Sequence, residues 1–118
     1  MKTINIKEMV KLKNSDTNKS VFIEIVLKGK DCGGVSGVLG PHTQGPYHFH
    51  KIHECVFFVL SGEAIEKIEG KEYPLTKEVI LYIPAGEKHQ MINQTDKEFH
   101  YFEIQIPAPD MSDVFDVK

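Results

Sequence analysis

The sequence predicts an all-β fold, a sandwich or barrel with little helix. Three observations carry that expectation. Short apolar runs recur at the spacing of about 8–12 residues that marks such folds, turn residues stand between them, and helical periodicity is scarce. At 118 residues the chain fits one domain, large enough to build a core without staples.

Taken in order, residues 1–12 read as a short strand or a loose arm, and 13–20 as a polar loop. From Val21 the pattern has period two: Val21, Ile23, Ile25 and Leu27 alternate with Phe22, Glu24, Val26 and Lys28, which predicts a half-buried strand. A glycine-rich turn over 29–34 leads into a strand over 35–39. The stretch 40–46 is expected to be a loop that breaks any ladder, because Pro41 and Pro46 have no N–H to donate. Strands follow at 55–60, 64–68, 72–75, 79–83, 90–93 and 99–106, with a tight hairpin around Gly70. The tail from Pro107 is acidic and interrupted by proline, so it reads as a surface strap or an arm reaching a partner.

Composition narrows the function. Apolar content of 41% and charged content of 26% are those of a globular protein. A net charge of −3, with no basic block among aromatics, gives no case for nucleic acid. All 14 basic residues are lysines, so the bidentate clamp that arginine offers to carboxylate or phosphate is missing. An anionic ligand would be held by lysine, backbone amides or a metal ion. Small molecules and further copies of the chain are the expected partners. Cys32 and Cys55 form no CxxC pair, and a 32–55 disulfide would be unusual in a reducing compartment. No signal-peptide core follows Met1 and no apolar run approaches a membrane span, so a cytoplasmic protein without membrane contact is expected.

The chemistry concentrates in "HFHKIHEC", residues 48–55. Residues two apart on a strand share a face, which puts His48 and His50 together, about 7 Å apart along it. A second cluster, "IPAGEKHQMIN" over 83–93, has Pro84 and Gly86 in a turn ahead of His89 and Asn93. Together the clusters resemble the bipartite signature of the cupin superfamily. Its first motif is HxH, then Glu after a short gap, then Gly; its second is PxGxxHxxxN. Pro84, Gly86, His89 and Asn93 complete the second motif, apart from its usual leading glycine, near which "TKE" stands. His48, His50 and Gly62 match the first.

The resemblance covers about residues 36–106, with an arm over 1–20 and a tail over 107–118 in one cupin domain spanning 1–118. It implies a jelly-roll barrel (a double-stranded β-helix) of the small single-domain kind, and a homodimer. It also implies that His48, His50, His89 and the acid of the first motif meet on one divalent metal. Imidazoles with a carboxylate suit Fe, Mn, Ni, Zn or Cu and leave positions open for substrate or O2.

The acid itself has two candidates. Glu54 shares parity with His48 and His50 and is the harder ligand, deliverable by a β-bulge and able to serve as a catalytic base. Cys55 fits the family spacing counted back from Gly62, along a strand of firmer register. The alternative is a site of three histidines alone. His53 is expected to flank the site in solvent, His42 to sit on the rim and His100 to be structural; Tyr47, Phe57, Met91, Tyr101, Glu103 and Gln105 are candidate pocket walls. The leading functional expectation is a metal-dependent enzyme, of dioxygenase or isomerase/lyase type, acting on a small polar substrate. The others are a non-catalytic small-molecule-binding or sensor module and a metal-free dimeric barrel.

Overall fold

The computed structural model describes residues 1–9 and 21–117. Eleven strands in this range form two sheets. They are β1 (Val21–Lys28), β2 (Gly33–Leu39), β3 (Thr43–Gln44), β4 (His48–Phe49), β5 (Glu54–Ser61) and β6 (Ala64–Ile68) in the first half. β7 (Lys71–Leu75), β8 (Ile80–Ile83), β9 (His89–Asn93), β10 (Phe99–Ile106) and β11 (Phe115–Asp116) complete them. One sheet has the order β1-β2-β10-β5-β8; the other runs β11-β4-β9-β6-β7, with β3 paired to β9. Every pairing is antiparallel. This is the expected all-β architecture, and each strand anticipated from 21 onward is present to within two residues of its bounds, β2 starting at Gly33 inside the expected turn.

Between the sheets lies one apolar cluster. Leu39, Cys55, Phe57, Ile83, Phe99 and Tyr101 come from the first sheet, and Ala64, Ile68, Leu75 and Met91 from the second. The alternation of side chains along each strand explains the selection: in β6, Ala64, Glu66 and Ile68 are buried while Ile65 and Lys67 are half-buried. The β6–β7 hairpin turns through Glu69 and Gly70, both at positive φ (47° and 84°), the two-residue geometry that matches the twist of its strands. Pro74 lies in β7, at the end of its sheet, where a missing N–H breaks no ladder. Gly37 of β2 faces Tyr101 of β10, and a Cβ there would come within 2.2 Å of the ring, so this crossing requires glycine.

Two segments differ from expectation, 6–9 and 43–44. Residues 6–9 form a helical turn, started by Asn5, whose side-chain oxygen accepts from the Lys7 N–H at 3.0 Å. The polar loop expected over 13–20 lies outside the described residues. Thr43 and Gln44, between the two prolines, retain their N–H groups and pair with β9. The tail folds back on its own chain, with β11 pairing to β4. β1 is an edge strand, and its Val21, Ile23 and Ile25 are 37%, 48% and 42% exposed. No described helix is long and apolar enough to cross a membrane.

Candidate metal centre

His48 of β4 and His89 of β9 are direct cross-strand partners, so their rings stand side by side with centroids 4.3 Å apart. His50, just beyond β4, completes the group at 5.0 Å from His48 and 5.2 Å from His89. One nitrogen from each of the three lies within 4.8 Å of the other two, and the group could hold a metal ion.

Hydrogen bonds decide which nitrogen each ring offers. Nδ1 of His48 donates to the Pro46 carbonyl at 2.8 Å, and Nδ1 of His89 to the Glu87 carbonyl at 2.9 Å. Nδ1 of His50 donates to the Asp113 carbonyl at 2.7 Å. A carbonyl only accepts, so every Nδ1 carries its proton, and each neutral ring has its Nε2 lone pair free. Bonds of this kind, made by the nitrogen turned away from the ion, orient metal-binding histidines. Burial lowers the His50 pKa despite the Asp113 carbonyl, and burial together with the neighbouring His48 pushes His89 down to about 4. Both rings are therefore neutral at pH 7. The residues present fit a divalent ion.

The backbone around the triad is also fixed. The Gly86 N–H donates to the His50 carbonyl at 2.7 Å, joining the turn of the second motif to the first. Asn93 is buried and contributes no ligand. Its amide donates to the carbonyls of Leu39, Gly40 and Lys97, tying three loop ends together.

The two candidates for the fourth position stand elsewhere. The Glu54 carboxylate accepts from the Tyr82 hydroxyl in an exposed pair and is not part of the histidine group. Residues 51–53 form a bend rather than a strand, so the parity of His48 and His50 does not carry through to Glu54. Cys55 does face inward and is fully buried. Burial and the adjacent Glu103 carboxylate raise its pKa, so its thiol holds the proton more tightly than a free cysteine does. Cys32 and Cys55 are both free, the first exposed.

His53 is 3% exposed, a correction to its expected place in solvent. Its Nδ1 faces Asp113 Oδ2 at 2.6 Å and its Nε2 donates to the Ala108 carbonyl at 2.8 Å. Asp113 also accepts the N–H groups of Lys51, Ile52 and His53 at 2.9, 3.0 and 3.0 Å. The tail thus clamps the bend inside the first motif. Asp113 was not legible as a site residue, since nothing in an acidic tail singles out one carboxylate.

The triad opens into a cavity of about 150 Å3. Phe57, Met91, Tyr101, Glu103 and Gln105 line it as anticipated, and Tyr47 does not. Glu66 lines it too. Its signal was present in the sequence, as an acid sharing parity with Ala64 and Ile68 on an apolar strand face. His42 is exposed on a loop, and His100 is buried and paired with Glu98 at 3.1 Å.

Three comparisons place this geometry among known proteins. The family model of the cupin domain matches residues 36–105. Comparison with curated proteins gives no match. Among solved structures, a conserved double-stranded β-helix protein from Klebsiella pneumoniae is similar, with a TM-score of 0.78 at 21% identity over 92% of this chain and 91% of that one. KdgF from a Halomonas species superposes with a TM-score of 0.72 at 18% identity, covering 82% and 89% of the two chains. A sugar phosphate isomerase of the cupin superfamily from Silicibacter pomeroyi gives 0.60 at 22% identity, over 67% of this chain and 52% of that one.

Proposed function

The chain belongs to the cupin family, and from that premise we propose that it is a divalent-metal-dependent enzyme acting on a small polar substrate. The observation that supports this reading most strongly is the set of three Nδ1-to-carbonyl hydrogen bonds, which leave the Nε2 lone pairs free on three rings that each offer a nitrogen within 4.8 Å of the others. His48, His50 and His89 are the proposed ligands. A bound Fe, Mn, Ni, Zn or Cu ion would polarise a carbonyl or hydroxyl oxygen of the substrate as a Lewis acid.

The chain's own groups do the rest. Val35, Leu39, Phe57 and Met91 exclude water from the cavity, which strengthens every polar contact made inside it. Glu66 and Glu103 offer carboxyl groups that can hold or move a proton beside the triad. Those carboxyls favour isomerase or lyase chemistry over dioxygenation, because carbon–hydrogen rearrangement needs a proton acceptor and O2 activation does not. The resemblance to a sugar phosphate isomerase supports the same direction at the level of fold. A homodimer belongs to this reading: the exposed row Val21, Ile23 and Ile25 on an edge strand is a surface that a second copy would cover.

The test is elemental analysis of tag-free protein purified anaerobically, followed by incubation of the loaded protein with hydroxycarbonyl compounds. About one equivalent of metal, and product formed without O2 uptake, is expected. Product that appears only with O2 consumption would move the assignment to a dioxygenase. Ligand binding with no product would make it a sensor.

A further inference from the structure

Two acids face the cavity beside the imidazoles, and their surroundings differ. Glu103 on β10 is held, accepting from the Gln105 amide at 2.9 Å. Glu66 on β6 is 1% exposed, and its Oε1 has no hydrogen-bond partner among the described residues. A buried polar oxygen left unpaired is destabilising, a cost removed when a ligand supplies the partner. Glu66 lies opposite Met91 in the β6–β9 ladder, and His89 is two residues from Met91 on the same strand. Glu66 and the triad therefore project from the same face of one sheet into the same space.

Three features of that space restrict its occupant. A cavity of about 150 Å3 matches one that admits benzene, which sets the enclosed part of a ligand at about six non-hydrogen atoms. Among the described residues no lysine lines it, and the chain has no arginine. Glu103 places a second carboxyl near Glu66, so an anionic group at that end would meet two acids and no cation.

We propose that Glu66 forms a hydroxyl-binding subsite, and that the ligand is a short, uncharged hydroxycarbonyl compound. Its carbonyl end lies at the triad and its hydroxyl pairs with Glu66 Oε1. The carbonyl end rests on the metal-enzyme reading above; the Glu66 end rests on the cavity alone. Phosphate esters and dicarboxylates would find no side-chain cation at the Glu66 pole among the described residues.

The test uses dihydroxyacetone, which matches the enclosed size, with malonate as its charged counterpart. Binding to the full chain is followed by titration calorimetry and saturation-transfer NMR, with metal content measured in parallel. The wild-type protein is expected to bind dihydroxyacetone in preference to malonate. Glu66→Leu should weaken dihydroxyacetone by about tenfold or more, the loss of one buried hydrogen bond, with bound metal unchanged. The infrared carboxyl band that disappears in Glu66→Gln should shift in the wild type when dihydroxyacetone is added, a readout independent of how Glu66→Leu folds.

No binding to the wild type, malonate binding as tightly, an unshifted band, or full affinity in a folded Glu66→Leu would each overturn the subsite. Loss of metal from Glu66→Gln would do so as well, by making Glu66 a ligand of the ion. A chain that holds no metal yet binds dihydroxyacetone through Glu66 would remove the metal-enzyme reading and keep the subsite.

Discussion

The imidazole triad and the tail clamp are built from the same residue type, and both lean on Asp113, yet they are in opposite chemical states. His50 takes the backbone carbonyl of Asp113 on one nitrogen and leaves the other open. His53, three residues on, takes the Asp113 carboxylate on one nitrogen and the Ala108 carbonyl on the other. Since neither partner can donate, both His53 nitrogens carry protons and the ring is a cation paired with a buried anion. One partner per ring leaves a nitrogen free for an ion; two make a structural ion pair. For His50 and His53 the sequence does not distinguish the two states, because their partners lie some 55–63 residues away.

The sharpest way to break this contrast is to exchange the losses. His89→Ala should abolish stoichiometric metal, an effect larger than the roughly 10–100-fold loss expected when only a supporting hydrogen bond is removed. His53→Ala should keep about one equivalent. Elemental analysis after desalting reads both, and equal metal in the two variants would erase the distinction.

Next in size is Asp113→Ala, which removes the anion and leaves three backbone N–H groups without their acceptor. A stability loss of about 3–5 kcal/mol is expected in urea unfolding, as for breaking a buried pair from one side. A loss within about 0.5 kcal/mol would make the clamp a surface ornament.

A smaller effect is expected with pH. For Asp113, burial is outweighed by hydrogen bonds from His53 and the Ile52, His53 and Lys51 amides, which hold its carboxyl below the usual range. Its contribution is present above the ordinary value of about 3.9 and is lost as pH falls through the depressed one. His53 runs the other way. Burial is outweighed by the Ala108 carbonyl and Asp113, its pKa is raised, and its contribution is full below about 6.5 and lost as pH rises through the raised value. The stability difference between wild type and His53→Gln should therefore be greatest between about pH 4 and 6.5 and shrink on both sides. A difference that grows above pH 8 has the wrong sign for an ion pair.

The smallest effect is expected at Glu54, whose partner is an exposed tyrosine hydroxyl. Glu54→Gln should leave metal content unchanged and stability within about 0.5 kcal/mol. Lost metal would return Glu54 to the ligand set.

How much was legible in the sequence follows from the range of the forces involved. Period-two alternation and turn chemistry are local, so β5, β6, β9 and β10 could be read directly, as could the meeting of two motifs through family resemblance. The fate of Glu54 was not legible, because parity holds only along continuous strand and residues 51–53 bend. The burial of His53 was hidden for a related reason: an acidic tail reads as solvated until its partner is known. Glu66 lay between these cases, visible as an acid on an apolar face but without any sign that its oxygen would be unpaired.

The contact between Gly37 and Tyr101 gives the chamber a hidden adjustment. The aromatic ring is a wall of the ligand space, and its back rests on bare peptide where a single methyl would sit 2.2 Å from the ring carbon. Any side chain at position 37 would drive that ring and its hydroxyl aside and reshape the space. Capacity is thus governed from outside, by an atom that is missing.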